Sequence, residues 1–323
     1  MQNQPVGPPR TGLDGGLANQ LSVRLLLATS PPTVFDADTG AKGSVPGLPG
    51  GKRLVSVQRV GHTPVILTSP ECQSATCAPD DVYTYTGPDT APVPLGQAFS
   101  IAPGADGDSV WAIRQDSPGN CRLQHVSLAG AALDPGTVAS CRTIVRQETS
   151  HGLLITVDNG TAETVDVLID PATGRSVQQA PRILAATGDR LILGGLTDLT
   201  VVDLPGGART KVAPPVVDST PYVLPNRDGS LAAVDFGTPA WHSTDIQTRD
   251  LWLLDLHDLT WQEAPSMPYT TEHLKQSGLD WSPDGDLLLD DGVVAAWHPG
   301  EPAWRLGSAK IPDAQQFPGV SIS

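Results

Sequence analysis

The chain has 323 residues and a formal net charge of −15, because 35 acidic residues outnumber 20 Lys and Arg residues. This charge argues against nucleic acid or an anionic membrane surface as the partner, since both attract clustered positive charge. Asp outnumbers Glu by 29 to six, and the chain contains 33 Gly and 31 Pro residues. Helix-forming residues are therefore scarce and turn-forming residues abundant, which excludes a mostly helical protein.

The chain begins with a segment that we predict to be a flexible tail. Residues 1–20 are polar, rich in Gly, Pro and Gln, and carry no signal-peptide pattern. No apolar run in the chain approaches the ~18–20 residues of a membrane-spanning helix, so we expect no membrane insertion. Residues 21–323 form the predicted folded domain.

A short strand of alternating apolar residues that ends in a polar turn recurs seven times along the folded domain. One apolar residue in each copy serves as an anchor for measuring the repeat. The anchors are Phe35, Tyr85, Leu128, Ile169, Leu204, Leu256 and Trp297. Their mean spacing is about 44 residues, close to the ~40–45 residues of a four-stranded propeller blade. The repeat therefore predicts seven blades.

A second recurring signal is an Asp-Gly pair placed directly before an apolar run. It occurs at Asp106–Gly107, Asp228–Gly229 and Asp284–Gly285, and a weaker copy surrounds Gly188. Glycine accepts the positive φ angle that a two-residue hairpin turn requires. Each pair is predicted to join the first and second strands of a blade.

The two ends of the chain are predicted to share one blade. Only one plausible strand, Val23 to Ala28, precedes the first anchor, so the first blade lacks an innermost strand. The C-terminal segment Phe317 to Ile322 is predicted to supply it, which removes exposed sheet edges that promote aggregation. We therefore predict an all-β, seven-bladed β-propeller closed by the C-terminal strand. An eight-stranded sandwich would leave roughly twenty strand-like segments unexplained.

Two turns resemble those of known propeller families. Residues Trp281–Gly285 have the sequence Trp-Ser-Pro-Asp-Gly and resemble the signature turn of the WD40-like repeats of TolB-type bacterial propellers. Residues Ile169–Gly174 resemble the outer hairpin of related propeller families. The resemblance covers about residues 21–323 as a periodic pattern. It implies an envelope-associated binding protein and supplies no catalytic residues.

Four cysteines, Cys72, Cys77, Cys121 and Cys141, form an even set. Their spacings of five, 44 and 20 residues match no common zinc finger or ribbon. We expect nearest neighbours to form disulfides, Cys72 with Cys77 and Cys121 with Cys141, a pattern that favours an exported protein. Four free thiols in a cytosolic protein are the alternative.

Motifs of common enzymes and cofactor sites are not found in the sequence. There is no Gly-x-Ser-x-Gly elbow, phosphate-binding loop or dinucleotide fingerprint, and the seven His residues form no His-x-x-x-His pair. We therefore expect no cofactor, no metal and no catalytic residue. Clustered acids are compatible with calcium, but Asp at a turn also bonds its own backbone, and we favour this structural role. The acids concerned are Asp36, Asp38, Asp284, Asp286, Asp290 and Asp291.

Long connections point to a binding surface on one face of the ring. In a propeller, the connections from second to third strands and the crossings between blades emerge on the same face. Segments 68–81, 237–250 and 264–276 are long connections of these kinds. Loops on a rigid scaffold commonly carry function, and large aromatics commonly anchor partners. The predicted binding residues, placed between the fifth and sixth blades, are Trp241, His242, Tyr269 and His273.

The tryptophans divide into two groups. Trp252 and Trp297 lie in anchor strands and are expected to pack in the core or between blades. Trp241 lies in a long connection, where two roles are open: an exposed aromatic that binds a partner, or a ring folded over its own blade.

We predict a non-enzymatic, extracytoplasmic binding or scaffold propeller that engages a protein, peptide or glycan through loops on one face. It is expected to be a monomer, outside the cell or at the cell envelope, and tethered in the full-length protein. The alternative is a secreted propeller hydrolase or lyase that acts on a glycan. That enzyme requires two funnel carboxylates, an acid and a base with opposed pKa shifts, ~5–10 Å apart.

Overall fold

The computed structural model describes residues 21–27, 29, 32–48, 52–70, 79–87, 90–158, 164–180, 182–195, 198–216, 220–237, 249–266, 278–290, 293–311 and 320–321. Every regular element among them is a β-strand. None of these residues belongs to a helix that is long and apolar enough to cross a membrane.

The described strands form seven four-stranded sheets, which we number as blades in chain order. Blade one contains β1 (Arg24–Leu27), β2 (Thr33–Asp36), β3 (Lys42–Ser44) and the C-terminal β28 (Val320–Ser321). Blade two contains β4 (Lys52–Val60), β5 (Thr63–Pro70), β6 (Asp80–Thr84) and β7 (Val93–Ala98). Blade three contains β8 (Ser100–Pro103), β9 (Ser109–Ser117), β10 (Asn120–Ser127) and β11 (Thr137–Ala139).

The remaining four blades follow the same plan. Blade four contains β12 (Ile144–Thr149), β13 (Gly152–Asp158), β14 (Thr164–Ile169) and β15 (Ser176–Ala180). Blade five contains β16 (Ile183–Thr187), β17 (Arg190–Gly194), β18 (Leu199–Asp203) and β19 (Arg209–Val212). Blade six contains β20 (Thr220–Pro225), β21 (Leu231–Gly237), β22 (Arg249–Asp255) and β23 (Trp261–Glu263). Blade seven contains β24 (Gly278–Trp281), β25 (Leu287–Asp290), β26 (Val293–Trp297) and β27 (Arg305–Lys310).

The first strands of the blades surround the centre of the ring. Neighbouring strands within each blade pair antiparallel, and blades two to seven follow chain order from first to fourth strand. First strands of adjacent blades contact one another, as β4 does β8, β12 does β16, and β28 does both β24 and β4. The chain is therefore a seven-bladed β-propeller, which confirms the predicted fold class.

The sequence anchors mark the third strands. Phe35, Ile169 and Trp297 lie within β2, β14 and β26, and the other four directly follow the third strands of their blades. Six anchors are buried and Leu128 is partly buried. The repeat predicted from these residues is confirmed, because each copy contributes an equivalent strand to its blade.

The hydrophobic core is divided among the interfaces between neighbouring blades. Within the described residues, one cluster of buried apolar side chains lies between each pair of adjacent blades. Ala232 and Val234 of β21 join the cluster shared with blade five, whereas Ala233 between them joins the cluster shared with blade seven. Side chains alternate between the faces of a strand, so one apolar strand serves two interfaces.

The Asp-Gly turns join first and second strands as predicted. Gly107, Gly229 and Gly285 have φ angles of 75°, 73° and 85° and lie between the first two strands of their blades. A Cβ atom on Gly229 would lie 2.5 Å from Oγ1 of Thr187, the last residue of β16 in the neighbouring blade. Glycine is therefore required there for both its φ angle and its small size.

The two ends of the ring differ in their connections. We call one end the turn face, where first-to-second and third-to-fourth turns emerge, such as 104–108 and 170–175. We call the other the loop face, where second-to-third connections and crossings between blades emerge, such as 118–119 and 140–143.

Aspartates on the turn face bond their own backbone. Asp36 accepts hydrogen bonds from the backbone N–H and hydroxyl of Thr39, both at 2.8 Å, and the Thr39 N–H is the main cause that lowers the pKa of Asp36. The Thr173 hydroxyl, at 2.6 Å, is the main cause that lowers the pKa of Asp170. Asp228 also has a lowered pKa, chiefly through the side-chain hydroxyl of Ser230.

The C-terminal strand closes the ring. β28 pairs with β1 through Leu25 with Ser321 and Leu26 with Val320. It occupies the innermost position of blade one, so the predicted closure is confirmed. Among the described residues this strand has two residues, which is shorter than the predicted segment 317–322.

An ion pair also joins the two blades on either side of blade one. Arg59 Nη2 of β4 lies 3.6 Å from Asp280 Oδ2 of β24, so blades two and seven are joined directly across the short first strand of blade one. Burial lowers the pKa of Arg59, and the charge of Asp280 opposes this effect. Side chains as well as β28 therefore hold the ring together at its closure.

A disulfide joins Cys121 to Cys141, with the Cα atoms 5.1 Å apart. Cys121 lies near the start of β10, and Cys141 lies in the crossing from blade three to blade four, so the bond is on the loop face. This half of the predicted pairing is confirmed. Cys72 and Cys77 lie outside the described residues, and their pairing stays a prediction.

Two tryptophans pack as the sequence predicts. Trp297 is fully buried in the cluster between blades six and seven, and its indole N–H donates to the Glu301 carbonyl oxygen at 2.9 Å. Trp252 is partly buried against the cluster between blades five and six. Trp281 adds a link between blades, because its indole N–H donates to the Leu224 carbonyl oxygen at 3.0 Å.

Removal of β28 should open the ring. Deleting residues 320–323 removes the partner of the buried Leu25 and Leu26, whereas deleting only residues 322–323 retains it. We expect the longer deletion to lower the free energy of unfolding by well over the roughly 1 kcal/mol of an ordinary substitution. Urea unfolding followed by circular dichroism measures the effect. Equal stability of the two truncated chains would contradict the closure.

Reduction of the disulfide should destabilise the protein. The bond closes a loop with a sequence separation of 20 residues. Loop entropy then predicts a loss of roughly 3 kcal/mol in the free energy of unfolding. The measurement is urea unfolding with and without reductant, in a Cys72→Ala/Cys77→Ala background so that only this bond is reduced. An unchanged midpoint after complete reduction, verified by mass spectrometry, would refute the prediction.

Acid should weaken the turn face. A carboxyl whose pKa is lowered on folding stabilises the protein above its unfolded pKa of about 3.9, and this stabilisation is lost as the pH falls through the folded value. The free energy of unfolding should therefore decrease from pH 5 towards pH 2. In the Asp36→Asn/Asp170→Asn/Asp228→Asn variant, which keeps an acceptor that does not titrate, the decrease should be smaller. Asp284→Asn is the control, and an equal slope in both variants would overturn the assignment.

Candidate functional site

The predicted binding residues Trp241, His242, Tyr269 and His273 all lie outside the described residues. The strands that flank them are β21 and β22 of blade six, and β23 and β24 at the crossing to blade seven. The flanking strand ends lie on the loop face, but they belong to blades six and seven rather than five and six. The role of the four residues stays a prediction.

A cavity of about 450 Å³ lies among the first strands of blades four, five and six. Its walls come from β12, β16 and β20, and from β13 and β14 where they approach the loop face. This volume falls within the ~300–1,000 Å³ of small-molecule sites. The polar residues that line it include Arg146, Thr156, Thr164, Asp166, Arg182 and Tyr222.

Two β-bulges shape the cavity wall. In β12 the register with β13 shifts between Val145 and Gln147, which leaves Arg146 as the extra residue. In β16 the register shifts between Ile183 and Ala185, which leaves Leu184 as the extra residue. A bulge redirects a side chain and interrupts pairing, and bulges are common beside functional sites. Both bulged residues line the cavity.

Asp166 is held in place by two hydrogen bonds and an ion pair. Its side chain is largely buried and accepts hydrogen bonds from the Thr156 hydroxyl at 2.6 Å and the Ile183 backbone N–H at 2.7 Å. Arg146 Nη1 lies 3.3 Å from the same carboxylate. These contacts join blade four to blade five, because Asp166 is in β14 and Ile183 is in β16.

Arg146 is fixed by blade five but retains donors. Its Nη1 donates to the Ile183 carbonyl oxygen at 2.5 Å and its Nη2 to the Leu184 carbonyl oxygen at 2.9 Å. These two hydrogen bonds use two of the five N–H groups of the guanidinium, and Asp166 adds an ion pair. Three N–H groups donate no hydrogen bond to the described residues.

Arg182 and Tyr222 supply exposed groups. Arg182 directly precedes β16, its side chain is exposed, and its guanidinium has no hydrogen-bond or ion-pair partner among the described residues. Tyr222 of β20 is 54% exposed. Because Arg146 balances the charge of Asp166, the described lining of the cavity has a net charge near +1, contributed by Arg182.

The described cavity lining contains a single carboxylate, that of Asp166. The enzyme alternative requires two carboxylates that converge on the substrate. Asp166 instead directs its oxygens at protein donors on blades four and five. In the described lining, its geometry is that of a support for the wall.

A second polar cluster contains the residue types of a catalytic triad but is structural. Ser109 is 1% exposed, and its hydroxyl lies 2.5 Å from His125 Nε2 and 2.6 Å from Asp106 Oδ1. Burial favours the neutral acid, yet hydrogen bonds from Ser109 and Asp108 leave the pKa of Asp106 below its ordinary value. A buried hydroxyl has no access to substrate, so the cluster fixes the turn between β8 and β9.

Two of the aspartates considered for calcium, Asp38 and Asp286, have protein partners, and Asp291 lies outside the described residues. Asp38 accepts hydrogen bonds from the backbone N–H groups of Leu21 and Ser22, both at 2.9 Å. Asp286 pairs with Arg305 at 2.5 Å and His298 at 2.9 Å. In the part of the chain that is described, no three His, Cys, Asp or Glu residues are placed to hold a metal.

The cavity residues follow a signal that sequence reasoning missed. Asp166 and Leu168 lie two residues apart on the same face of β14, and both are buried. A charged residue therefore occupies a position where an apolar one is expected. A buried acid needs partners. Two arginines lie at the first strands of neighbouring blades: Arg146 in β12 and Arg182 directly before β16. Their approach depends on contact between blades, which spacing in the sequence does not reveal.

Known structures share the propeller fold. The chain is similar to oligogalacturonate lyase in complex with manganese, with a TM-score of 0.52 and 15% identity over 88% of this chain and 84% of that one. It is similar to the β-propeller domain of the Trilobed protease from Pyrococcus furiosus, with a TM-score of 0.50 and 12% identity over 79% and 84% of the two chains.

A putative 6-phosphogluconolactonase from Bacteroides fragilis has a TM-score of 0.48 and 11% identity, over 92% of this chain and 97% of that one. No protein-family model matches the sequence. No curated protein matches it either. At these identities, the similarity to solved structures shows the β-propeller fold alone.

Proposed function

We propose that this chain is a non-enzymatic binding propeller that engages a protein, peptide or glycan at the loop face. The observation that carries the proposal is the cavity among blades four, five and six. Arg182, whose side chain is exposed, lines it together with Arg146 and Asp166, which form an ion pair. A wall whose other charged side chains are already held by protein partners is suited to a ligand, since little ordering is needed on binding.

The arrangement of the wall supports binding rather than acid–base catalysis. A general acid or base must lie within hydrogen-bond reach of the reacting group. Asp166 is surrounded by Thr156, Ile183 and Arg146, so moving it towards a substrate would break three contacts. Apart from Asp166, the described side chains of the lining are cationic or neutral.

We further propose an extracytoplasmic location at the cell envelope. The disulfide between Cys121 and Cys141 supports this, because such bonds persist mainly in oxidising compartments. The resemblance to TolB-type propellers points to the same place. The predicted loop residues, Trp241 and Tyr269 among them, would extend the binding surface around the loop face.

Replacement of Arg182 tests the proposal. The purified chain is applied to arrays of immobilised oligosaccharides, both neutral and acidic, and to arrays of peptides. We expect specific binding that falls at least tenfold in Arg182→Ala, because a central donor is lost. Arg209→Ala is the matched control: it removes an exposed Arg of the same blade, on the outermost strand β19.

Thermal unfolding of the three proteins verifies that each is folded to the same extent. Binding that is equal in the wild type and both variants would place the ligand elsewhere and reject the cavity. Failure of the wild type to bind any immobilised oligosaccharide or peptide would reject a glycan or peptide as its ligand.

A further inference from the structure

We propose that the cavity recognises an acidic carbohydrate through the carboxylate of a uronic acid unit. This inference rests on the proposed binding function and names the class of its ligand. It follows from four features of the cavity: the arginine N–H groups without a described acceptor, the local charge, the backbone groups of the wall and the side chains that line it.

The N–H groups of the cavity that donate no hydrogen bond to the described residues favour a ligand rich in acceptors. Arg146 donates two of its five N–H groups to the described residues, and Arg182 donates none of its five. The carboxylate of Asp166, the single acid of the described lining, already accepts two hydrogen bonds and pairs with Arg146. A planar guanidinium matches a carboxylate through two parallel hydrogen bonds.

The local charge favours a monoanion over a phosphate ester. The pair of Arg146 and Asp166 is neutral, so Arg182 leaves the described lining with one net positive charge. A carboxylate carries a single negative charge and balances it. A phosphate monoester carries roughly −1.5 to −2 at neutral pH and would leave excess negative charge in a chain whose formal charge is already −15.

The backbone of the wall is poorly suited to pairing with a peptide strand. On β16, the Ile183 N–H is used by Asp166, and the Ile183 and Leu184 carbonyl oxygens are used by Arg146. On β20, Pro221 and Pro225 have no N–H, and proline in a strand leaves its missing donor on the unpaired edge. Addition of a peptide as an extra strand would find few partners here.

The side chains of the lining suit a hydroxylated ring. Thr164 and Gln147 bring hydroxyl and amide groups, and Tyr222, 54% exposed, brings an aromatic surface. A sugar ring presents hydroxyls that both donate and accept, together with an apolar C–H surface. A uronic acid unit therefore offers the carboxylate for Arg182 and neutral groups for the rest of the cavity.

Isothermal titration calorimetry with defined probes tests the ligand class. The probes are trisaccharides of galacturonic, glucuronic and mannuronic acid, their methyl esters, the tripeptide Ala-Ala-Ala with a free C-terminus, and inorganic phosphate. We expect at least one uronic acid trisaccharide to bind, with its methyl ester at least tenfold weaker. Its affinity should fall at least tenfold in Arg182→Ala, fall less in Arg182→Lys, and stay unchanged in Arg209→Ala.

Each other result overturns the inference. Equal affinity for acid and methyl ester would show that the carboxylate is not recognised. Binding of the tripeptide or of phosphate without binding of any uronic acid trisaccharide would assign another ligand class. If no uronic acid binds while the arrays give a partner whose binding depends on Arg182, the proposed function stands and the acidic carbohydrate is rejected.

Discussion

The requirement that both faces of every blade be covered governs this protein. A four-stranded sheet with apolar residues on both faces has no stable form alone, because each exposed face would remain in contact with water. The chain meets the requirement by placing a buried cluster between each pair of described blades, as Ala233 and Val234 show by facing opposite neighbours. One face of blade one is covered by blade seven, so the ring must close. The strand β28 and the Arg59–Asp280 pair provide this closure.

This requirement leaves the two faces of the ring with different freedom to vary. On the turn face, carboxylates such as Asp36 and Asp170 accept hydrogen bonds within their own turns, so they have few lone pairs left for a ligand. On the loop face, chain length is less constrained, because closure entropy rises slowly with loop length. The disulfide at Cys121 and the cavity beside Asp166 both lie towards this side. A ligand site there can change without disturbing the interfaces between blades.

The fold could be predicted from the sequence because its determinants are local. Alternation around anchors such as Phe35 and the φ angle demanded of Gly107 act within a single hairpin, and they repeat often enough to count blades. The cavity could not be predicted in the same way. Arg146 is directed by a bulge, and its acceptors belong to the next blade, so neither feature is written in the spacing of residues. The one local indication of the cavity is Asp166, a charged residue at a buried position of an otherwise apolar strand.

The acidity of the chain and the cationic cavity act over different distances. At physiological ionic strength the Debye length is about 8 Å, so acidic groups farther from Arg182 contribute little to its interaction with a bound carboxylate. For the acidic ligand that we propose, the net charge of −15 would slow the approach of the free anion, whereas hydrogen bonds within the cavity would determine how long it stays. A dilute soluble anion is disadvantaged by this balance. Acidic units held at high local concentration, as on a surface polymer, would gain from the short-range contacts and would be less limited by slow encounter.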